Sequence, residues 1–461
     1  VSRALGDLVF EPRSIVVYGA SSDPDKLSGR PLDYLNKLGF GGDVFAVNPR
    51  RDVVQGVKAY ATVADVPGPV DLAVIVVPAD KVPGAVEECA AAGVGAAIIF
   101  ASGFSEAPGG VGVRDQERIA EAARTSGMRV LGPNGLGSFA LPSKAFATFS
   151  TAFDAPGALP DSPIALVAQS GAVGTFTYTT MTALGLGVRY FANTGNQVDI
   201  SVVELLDALV DREDVDVLLG HLEGFTDPDG LDRLASRAKA AGKPLVLLKA
   251  GRTASGERAI GAHTGSRGGD DALFNEVLER HGAIRAESME QMADLALVFA
   301  GGRRAPGRRV SIVTQSGGAG ALSTDAAVDL GLRIDPWVDE TRTEVGSFLP
   351  FFASTANPID LTGALINDPS ILDRSLQIAC DTDETDVVLV VLGNSDKAGK
   401  ALVDICVKHH AATSKPFVMV WTGGSGQPRL DLLEAGVPTF AEPLRAVRAI
   451  AHLVNAGEVP R

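Results

Sequence analysis

The chain has 461 residues, too many for one hydrophobic core and enough for about three domains. Its 46% hydrophobic content with 6% aromatics, and its 52 glycines, point to tightly packed α/β layers joined by many turns. A formal net charge of -15, without a Lys/Arg cluster interleaved with aromatics, argues against nucleic acid as a ligand, and the lack of a signal-peptide pattern or of an apolar run of about 18 residues argues against a membrane.

From Ser14 to about Ser138, short apolar strands (Ser14–Ala20, Val44–Asn48, Asp71–Val77, Ala96–Ala101, Arg129–Leu131) alternate with amphipathic helices (Arg30–Leu38, Lys81–Ala92, Gly112–Ser126). Alternating βαβ units predict a doubly wound parallel sheet over residues 1–143, with its ligand at the carboxyl ends of the strands. The first strand runs into Gly19-Ala20-Ser21-Ser22, followed by Lys26. Such a turn of small residues offers backbone N–H groups and a helix dipole to a phosphate, and Lys26 would add a point charge. Three more strand ends open onto the same crevice: Asn48-Pro49-Arg50-Arg51, Val77-Pro78-Ala79 and Ser102-Gly103-Phe104. This is the place for a nucleotide-containing cofactor. No G-x-G-x-x-G is present, and no acidic residue is placed to hold an NAD ribose, so an NAD-dependent dehydrogenase is the weakest reading. The basic end at Asn48-Pro49-Arg50 suits a ligand with an extra ribose phosphate.

Residues 144–163, with three prolines, read as a linker; a second α/β unit occupies 160–300, a linker 301–307, and a third unit 308–461. The second and third units read as copies. Ile164-Ala165-Leu166-Val167-Ala168-Gln169-Ser170-Gly171 recurs as Val310-Ser311-Ile312-Val313-Thr314-Gln315-Ser316-Gly317, Asn196-Gln197-Val198-Asp199-Ile200 as Asn357-Pro358-Ile359-Asp360-Leu361, and Lys243-Pro244-Leu245-Val246 as Lys415-Pro416-Phe417-Val418. Gln169-Ser170-Gly171-Ala172, at a strand end where a helix begins, forms a second anion site. Glu223 ends another strand, where a carboxylate can orient an imidazole.

The copies differ after the strand ending at Lys249. The first continues into a predicted loop, Gly261-Ala262-His263-Thr264-Gly265-Ser266-Arg267-Gly268-Gly269, before a helix from about Asp270; the second passes from Trp421 to Leu430 within a few residues and has no counterpart histidine. The shared strands serve the fold, and one copy alone keeps His263. A neutral imidazole held among small residues is a competent nucleophile for a phosphoryl group. Cys89, Cys380 and Cys406 lie far apart without metal-ligand spacing and read as apolar residues of a reducing cytosol, so no metal is expected in the chain itself.

Together these motifs resemble the CoA-ligase half of the NDP-forming acyl-CoA synthetase superfamily, which includes succinyl-CoA synthetase and ADP-forming acetyl-CoA synthetase. The resemblance covers essentially the whole chain and also takes in Leu131-Gly132-Pro133-Asn134-Gly135, Leu222-Glu223-Gly224 and Lys249-Ala250-Gly251-Arg252. It implies a Rossmann-like CoA-binding domain followed by two flavodoxin-like domains. Coenzyme A would lie along the first-domain strand ends, near Ser21, Arg51 and Ser102 and with Asn134. His263 would be the phosphorylated residue, Glu223 its orienting carboxylate, and Gln169 to Ala172 the phosphate site. An acyl-CoA and phosphate would exchange through an acyl-phosphate, which phosphorylates His263.

The resemblance further implies an ATP-grasp subunit or fused domain as partner, which alone would carry ATP or ADP and magnesium, in an oligomeric assembly. This chain contains no ATP-grasp domain, so it is expected to be an alpha-type subunit or a fragment of a longer fusion. Its opening on Val1 rather than methionine leaves room for preceding residues. Gly135 stands where many relatives have cysteine or serine, and Arg267-Gly268-Gly269-Asp270 replaces a more apolar continuation. The competing reading is a non-catalytic CoA-binding or acyl-CoA-sensing module of the same fold.

Overall fold

Runs of valine, isoleucine and alanine form strands buried on both faces, as parallel strands covered by helices on each side must be. The computed structural model describes residues 3–154, 159–264 and 269–458, apart from the side chains of 262–264 and 458. The first sheet contains β1 (Ser14–Tyr18), β2 (Asp43–Val47), β3 (Val53–Val54), β4 (Val57–Tyr60), β5 (Leu72–Ile75), β6 (Ala96–Ile99) and β7 (Arg129–Leu131). Their order is β3-β4-β2-β1-β5-β6-β7, and every neighbouring pair except β3–β4 is parallel. The order reverses between β1 and β5, and that switch point opens the crevice. The β3–β4 hairpin turns at Gln55 and Gly56, both at positive φ, and lies outside the predicted strands.

The second sheet contains β8 (Gly137–Ala140), β9 (Ala145–Thr148), β10 (Ile164–Ala168), β11 (Tyr190–Asn193), β12 (Val217–Leu222), β13 (Leu245–Lys249) and β14 (Ile284–Ala286), in the order β14-β13-β12-β10-β11-β8-β9. Here the structure corrects the predicted linker at 144–163. β9 lies within it, and with β8 it forms an antiparallel hairpin that extends the second sheet. Aromatic packing holds the hairpin there: Phe139 stacks on Phe146 with ring centroids 4.9 Å apart and on Phe191 at 5.5 Å.

The first two sheets belong to one compact unit, Val1–Thr180 with Leu186–Met292. An apolar core containing Phe10, Ile15, Tyr190 and Leu218 runs through both, and the strand-like run at 196–200 bonds alongside β7. Arg129, in β7, pairs with Asp199 at 2.9 Å and with Glu204 at 2.9 Å.

The other compact unit, Met181–Gly185 with Ala293–Arg461, holds the third sheet: β15 (Val310–Thr314), β16 (Ile359–Asp360), β17 (Val387–Gly393), β18 (Phe417–Thr422) and β19 (Thr439–Phe440). Its order, β16-β15-β17-β18-β19, repeats β11-β10-β12-β13-β14 strand for strand. The registers equate Ala168 with Thr314, His221 with Val391, and Lys249 with Trp421. They also correct one of the sequence matches. Asp360 pairs beside Thr314 as Asn193 pairs beside Ala168, so Asn193, not Asp199, is its counterpart. Short motifs can be matched along the chain, but strand equivalence is set by hydrogen-bond register.

Candidate active site

The strand ends of the first compact unit form one unbroken line of contacts. After β1, Gly19 sits at φ 92°, where an added Cβ would come within 2.6 Å of Val77 Cγ1. Only glycine lets the β1 and β5 turns approach this closely. Asn48, after β2, donates from Nδ2 to the Ala20 carbonyl at 3.0 Å. Gln55 donates to the carbonyls of Ser21 (2.7 Å) and Gly29 (3.0 Å), fixing the loop after β1. Lys26 is exposed in that loop, with Nζ 3.7 Å from Asp23 Oδ2, so part of its charge is already answered. Ser22, Pro49, Arg50, Arg51 and Pro78 are exposed, and Ser21 and Val77 are intermediate.

The line continues through the β6 turn. A Cβ on Gly103 would lie 3.6 Å from that of Ala79, and Ser102 beside it is exposed. Glu106 accepts the N–H groups of Gly103 (2.5 Å) and Phe104 (3.1 Å) and the Asn196 amide (2.5 Å). Burial alone would raise its pKa, but these donors hold the carboxyl below its ordinary range. Asn134, at φ 61°, donates its backbone N–H to Ala101 and its side-chain amide to Asn196 Oδ1 at 3.3 Å. The first crevice thereby meets the second sheet.

At that meeting point, Gly135 faces the end of β11, and an added Cβ there would lie 3.3 Å from the Asn193 carbonyl oxygen. Asn193 is fully buried. Its Oδ1 accepts the Leu136 N–H at 2.7 Å, and its Nδ2 donates to the carbonyls of Ala168 and Gln169, each at 2.8 Å. Gln169 Oε1 then accepts the N–H groups of Glu223 (2.8 Å) and Gly224 (3.3 Å). Glu223 is buried at the end of β12, 7% exposed, and Gly251, after β13, lies against its carbonyl.

The helix Gly171–Thr182 starts on this line. Ser170 Oγ accepts the Val173 N–H at 3.4 Å, and the Ser170 N–H points to His221 Nδ1 at 3.5 Å. The N–H groups of Gly171 and Ala172 have no acceptor among the described residues and face the positive end of the helix dipole. They are the groups that an anion would meet. His221 is 3% exposed, and burial lowers its pKa to about 4, so its imidazole is neutral near pH 7.

His263 lies in a helix, Ala254–Thr264, rather than in the predicted loop. The Thr253 hydroxyl caps that helix by accepting the Gly256 N–H at 3.1 Å, and the following alanines, Glu257 and Arg258 carry it past its glycines. The His263 side chain and residues Gly265 to Gly268, including Arg267, lie outside the described residues, as does the expected Glu223–His263 pairing. Sequence reasoning missed Gln55, Glu106, Asn193 and His221. A hairpin signal at Gln55-Gly56 and a lone amide closing the apolar strand at Asn193 are the features that could have found two of them. At the corresponding places, the third sheet has Val391 for His221 and Gly393 for Glu223. The ionisable groups of the site occur in one copy only.

Comparison with known proteins gives the class to which this fold belongs. Residues 13–139 match the family model of a CoA binding domain, 161–299 that of a succinyl-CoA ligase like flavodoxin domain, and 310–395 that of a ligase-CoA domain. The alpha subunit of acetate–CoA ligase [ADP-forming] I of Pyrococcus furiosus is 32% identical over 456 residues, 97% of this chain and 96% of that one. Acetate–CoA ligase [ADP-forming] I of Archaeoglobus fulgidus is 33% identical, and this chain spans 63% of its length. A solved acetyl-coenzyme A synthetase 1 from Ca. Korarchaeum cryptofilum, in complex with phosphate and ADP, superposes with a TM-score of 0.89 at 32% identity, covering 98% of this chain and 96% of that one. The chain belongs to the ADP-forming acyl-CoA ligases, enzymes of the NDP-forming acyl-CoA synthetase superfamily, and corresponds to their alpha-type part. Among the described residues no helix is long and apolar enough to cross a membrane.

Proposed function

We propose that this chain binds coenzyme A along the strand ends from Gly19 to Asn134 and catalyses the phosphate-linked half of acyl-CoA synthesis. In the direction of ATP formation, a phosphate oxygen held at Gly171 and Ala172 attacks the thioester carbon, the C–S bond breaks, and the CoA thiolate leaves. A nitrogen of His263 then attacks phosphorus in the acyl-phosphate, the P–O bond to the acyl group breaks, and the carboxylate leaves. Glu223 accepts the other ring N–H and stabilises the charged form. ADP on an ATP-grasp partner takes the phosphoryl group, and magnesium belongs there.

The observation that carries this reading is the continuous contact line from the Gly19 turn through Gly135 and Asn193 to the N-terminus of the Gly171–Thr182 helix and Glu223. It supports the reading by joining the β1 turn, the N–H groups of Gly171 and Ala172, unpaired among the described residues, and the buried Glu223 carboxylate along adjoining strand ends, as successive transfers require. Relatives are named for acetate, trans-ferulate and 4-hydroxybutyrate, so the substrate class is a small carboxylate.

Incubation with acetyl-CoA and labelled inorganic phosphate, or with an ATP-grasp partner and labelled ATP, is expected to give an acid-labile, base-stable phosphoprotein that His263→Ala abolishes. Labelling that persists in the variant overturns the assignment. CoA binding without labelling in either arm identifies a sensing module instead.

A further inference from the structure

The described part of the segment that carries His263 is mostly exposed. Of the described side chains in the helix Ala254–Thr264, only Ile260 is buried. With one buried side chain among those described, the points where the chain leaves and rejoins the fold gain weight in placing this helix.

Those two points are tied together. Lys249 ends β13 with a fully buried side chain, and its Nζ lies 3.1 Å from Asp271 Oδ1. Asp271 is the first residue of the next helix, Asp271–His281. Arg285, in β14, grips the same carboxylate with two bonds of 2.9 Å. Both cations lie by the buried Phe274 ring, Lys249 at 5.9 Å and Arg285 at 5.2 Å. The Arg285 and Lys249 bonds outweigh burial and hold the Asp271 carboxyl below its usual range.

The duplicated sheet provides an internal control. By register, Lys249 corresponds to Trp421 and Arg285 to Thr439. There the chain passes from β18 to the helix Gln427–Glu434 without an intervening helix, and Trp421 is 2% exposed. An apolar ring thus closes the corner that charges close in the first copy. Burying charges carries a desolvation cost that an apolar filler avoids, so this fold does not need the cluster for its core. The cluster accompanies the extra segment.

We propose that Lys249, Asp271 and Arg285 form a stem clamp: positioning residues that fix where the His263-bearing segment departs from and returns to the sheet, and so set the approach of His263 to the phosphate site. The proposal rests on the phosphohistidine reading for its consequence in catalysis, but not for its effect on the helix itself.

Lys249→Met and Asp271→Asn in the full chain test it through three measurements: hydrogen–deuterium exchange, CoA titration, and labelling with acetyl-CoA and labelled inorganic phosphate. Exchange in the 254–264 helix is expected to rise about tenfold relative to β13, and labelling to slow about tenfold or more, with CoA affinity kept within about twofold. Lys249→Arg is expected to restore both. Wild-type exchange and labelling in a folded Lys249→Met protein overturn the clamp. Should Lys249→Met lose melting temperature and CoA affinity together, the pair Lys249→Trp with Arg285→Thr, which imports the residues of the third sheet, decides. In that stable background, a loosened helix with slow labelling supports the clamp, and wild-type behaviour overturns it. A wild-type protein that never labels removes the phosphohistidine reading and leaves the exchange measurement to judge the clamp.

Discussion

Asn193 Oδ1 accepts the Leu136 N–H at 2.7 Å while its Nδ2 serves the carbonyls of Ala168 and Gln169, so one buried amide joins the CoA-side segment to the anion-site strand. Asn193→Ala removes these three bonds and leaves their partners in a buried place. A loss of about 3 kcal/mol is expected, read as a lower melting temperature. Asn193→Asp imports the residue of the matching position, Asp360, but keeps no donor for the two carbonyls. It is expected to slow phosphoprotein formation more than it weakens CoA binding, because the anion site depends on Gln169.

Gly19→Ala tests the first crevice. The added methyl would fall 2.6 Å from Val77 Cγ1 at a backbone φ of 92°. The strain is expected to cost about 1–2 kcal/mol and to weaken CoA binding by about tenfold or more, measured by calorimetric titration. An unchanged dissociation constant would remove the β1 turn from the CoA site.

Gly135→Ala is expected to behave differently. Its new Cβ would meet the Asn193 carbonyl oxygen at 3.3 Å, a contact that a small shift relieves. Stability is expected to change by less than about 1 kcal/mol. Activity on a bulky carboxylate is expected to fall further than activity on acetate, shown by comparing kcat/KM for the two.

Glu223→Gln keeps the size of the side chain and removes its charge. CoA affinity is expected to hold, while labelling of His263 falls about 100-fold because the neutral amide supports a charged imidazole poorly. Equal labelling rates would take Glu223 out of the reaction.

His221 links stability to pH. Burial lowers its pKa from 6.5 to about 4, so between these values the unfolded chain takes up a proton that the native chain does not. Stability is therefore full above pH 6.5 and is lost as pH falls toward 4, by up to about 3 kcal/mol from this group. His221→Val, the residue at the matching place in the third sheet, is expected to flatten that slope in urea titrations at a series of pH values. His410, also lowered to about 4 by burial and by Arg303, keeps part of the slope.

Local signals carried much of the fold. Apolar runs located β1, β2, β5, β6, β7, β10 and β15 to within a few residues, because both-face burial demands unbroken valine, isoleucine and alanine. The β8–β9 hairpin was hidden by the prolines that follow it in the chain, and its stability comes from Phe139 and Phe146 stacking on a sheet whose other strands are distant in sequence. The helix at Ala254–Thr264 was hidden by glycines, which lower local propensity without abolishing a capped helix.

By itself the sequence determined the α/β class, the duplication, and the presence of His263 in one copy alone. These are properties of residue type, period and order, which survive without knowledge of contacts. Only the tertiary structure decided that Asn193 rather than Asp199 matches Asp360, that Glu106 and Asn193 join two sheets, and that Lys249 and Asp271 meet across 22 residues. Those pairings are made by strand register and burial between segments far apart in the chain, where local sequence carries no record of its partner.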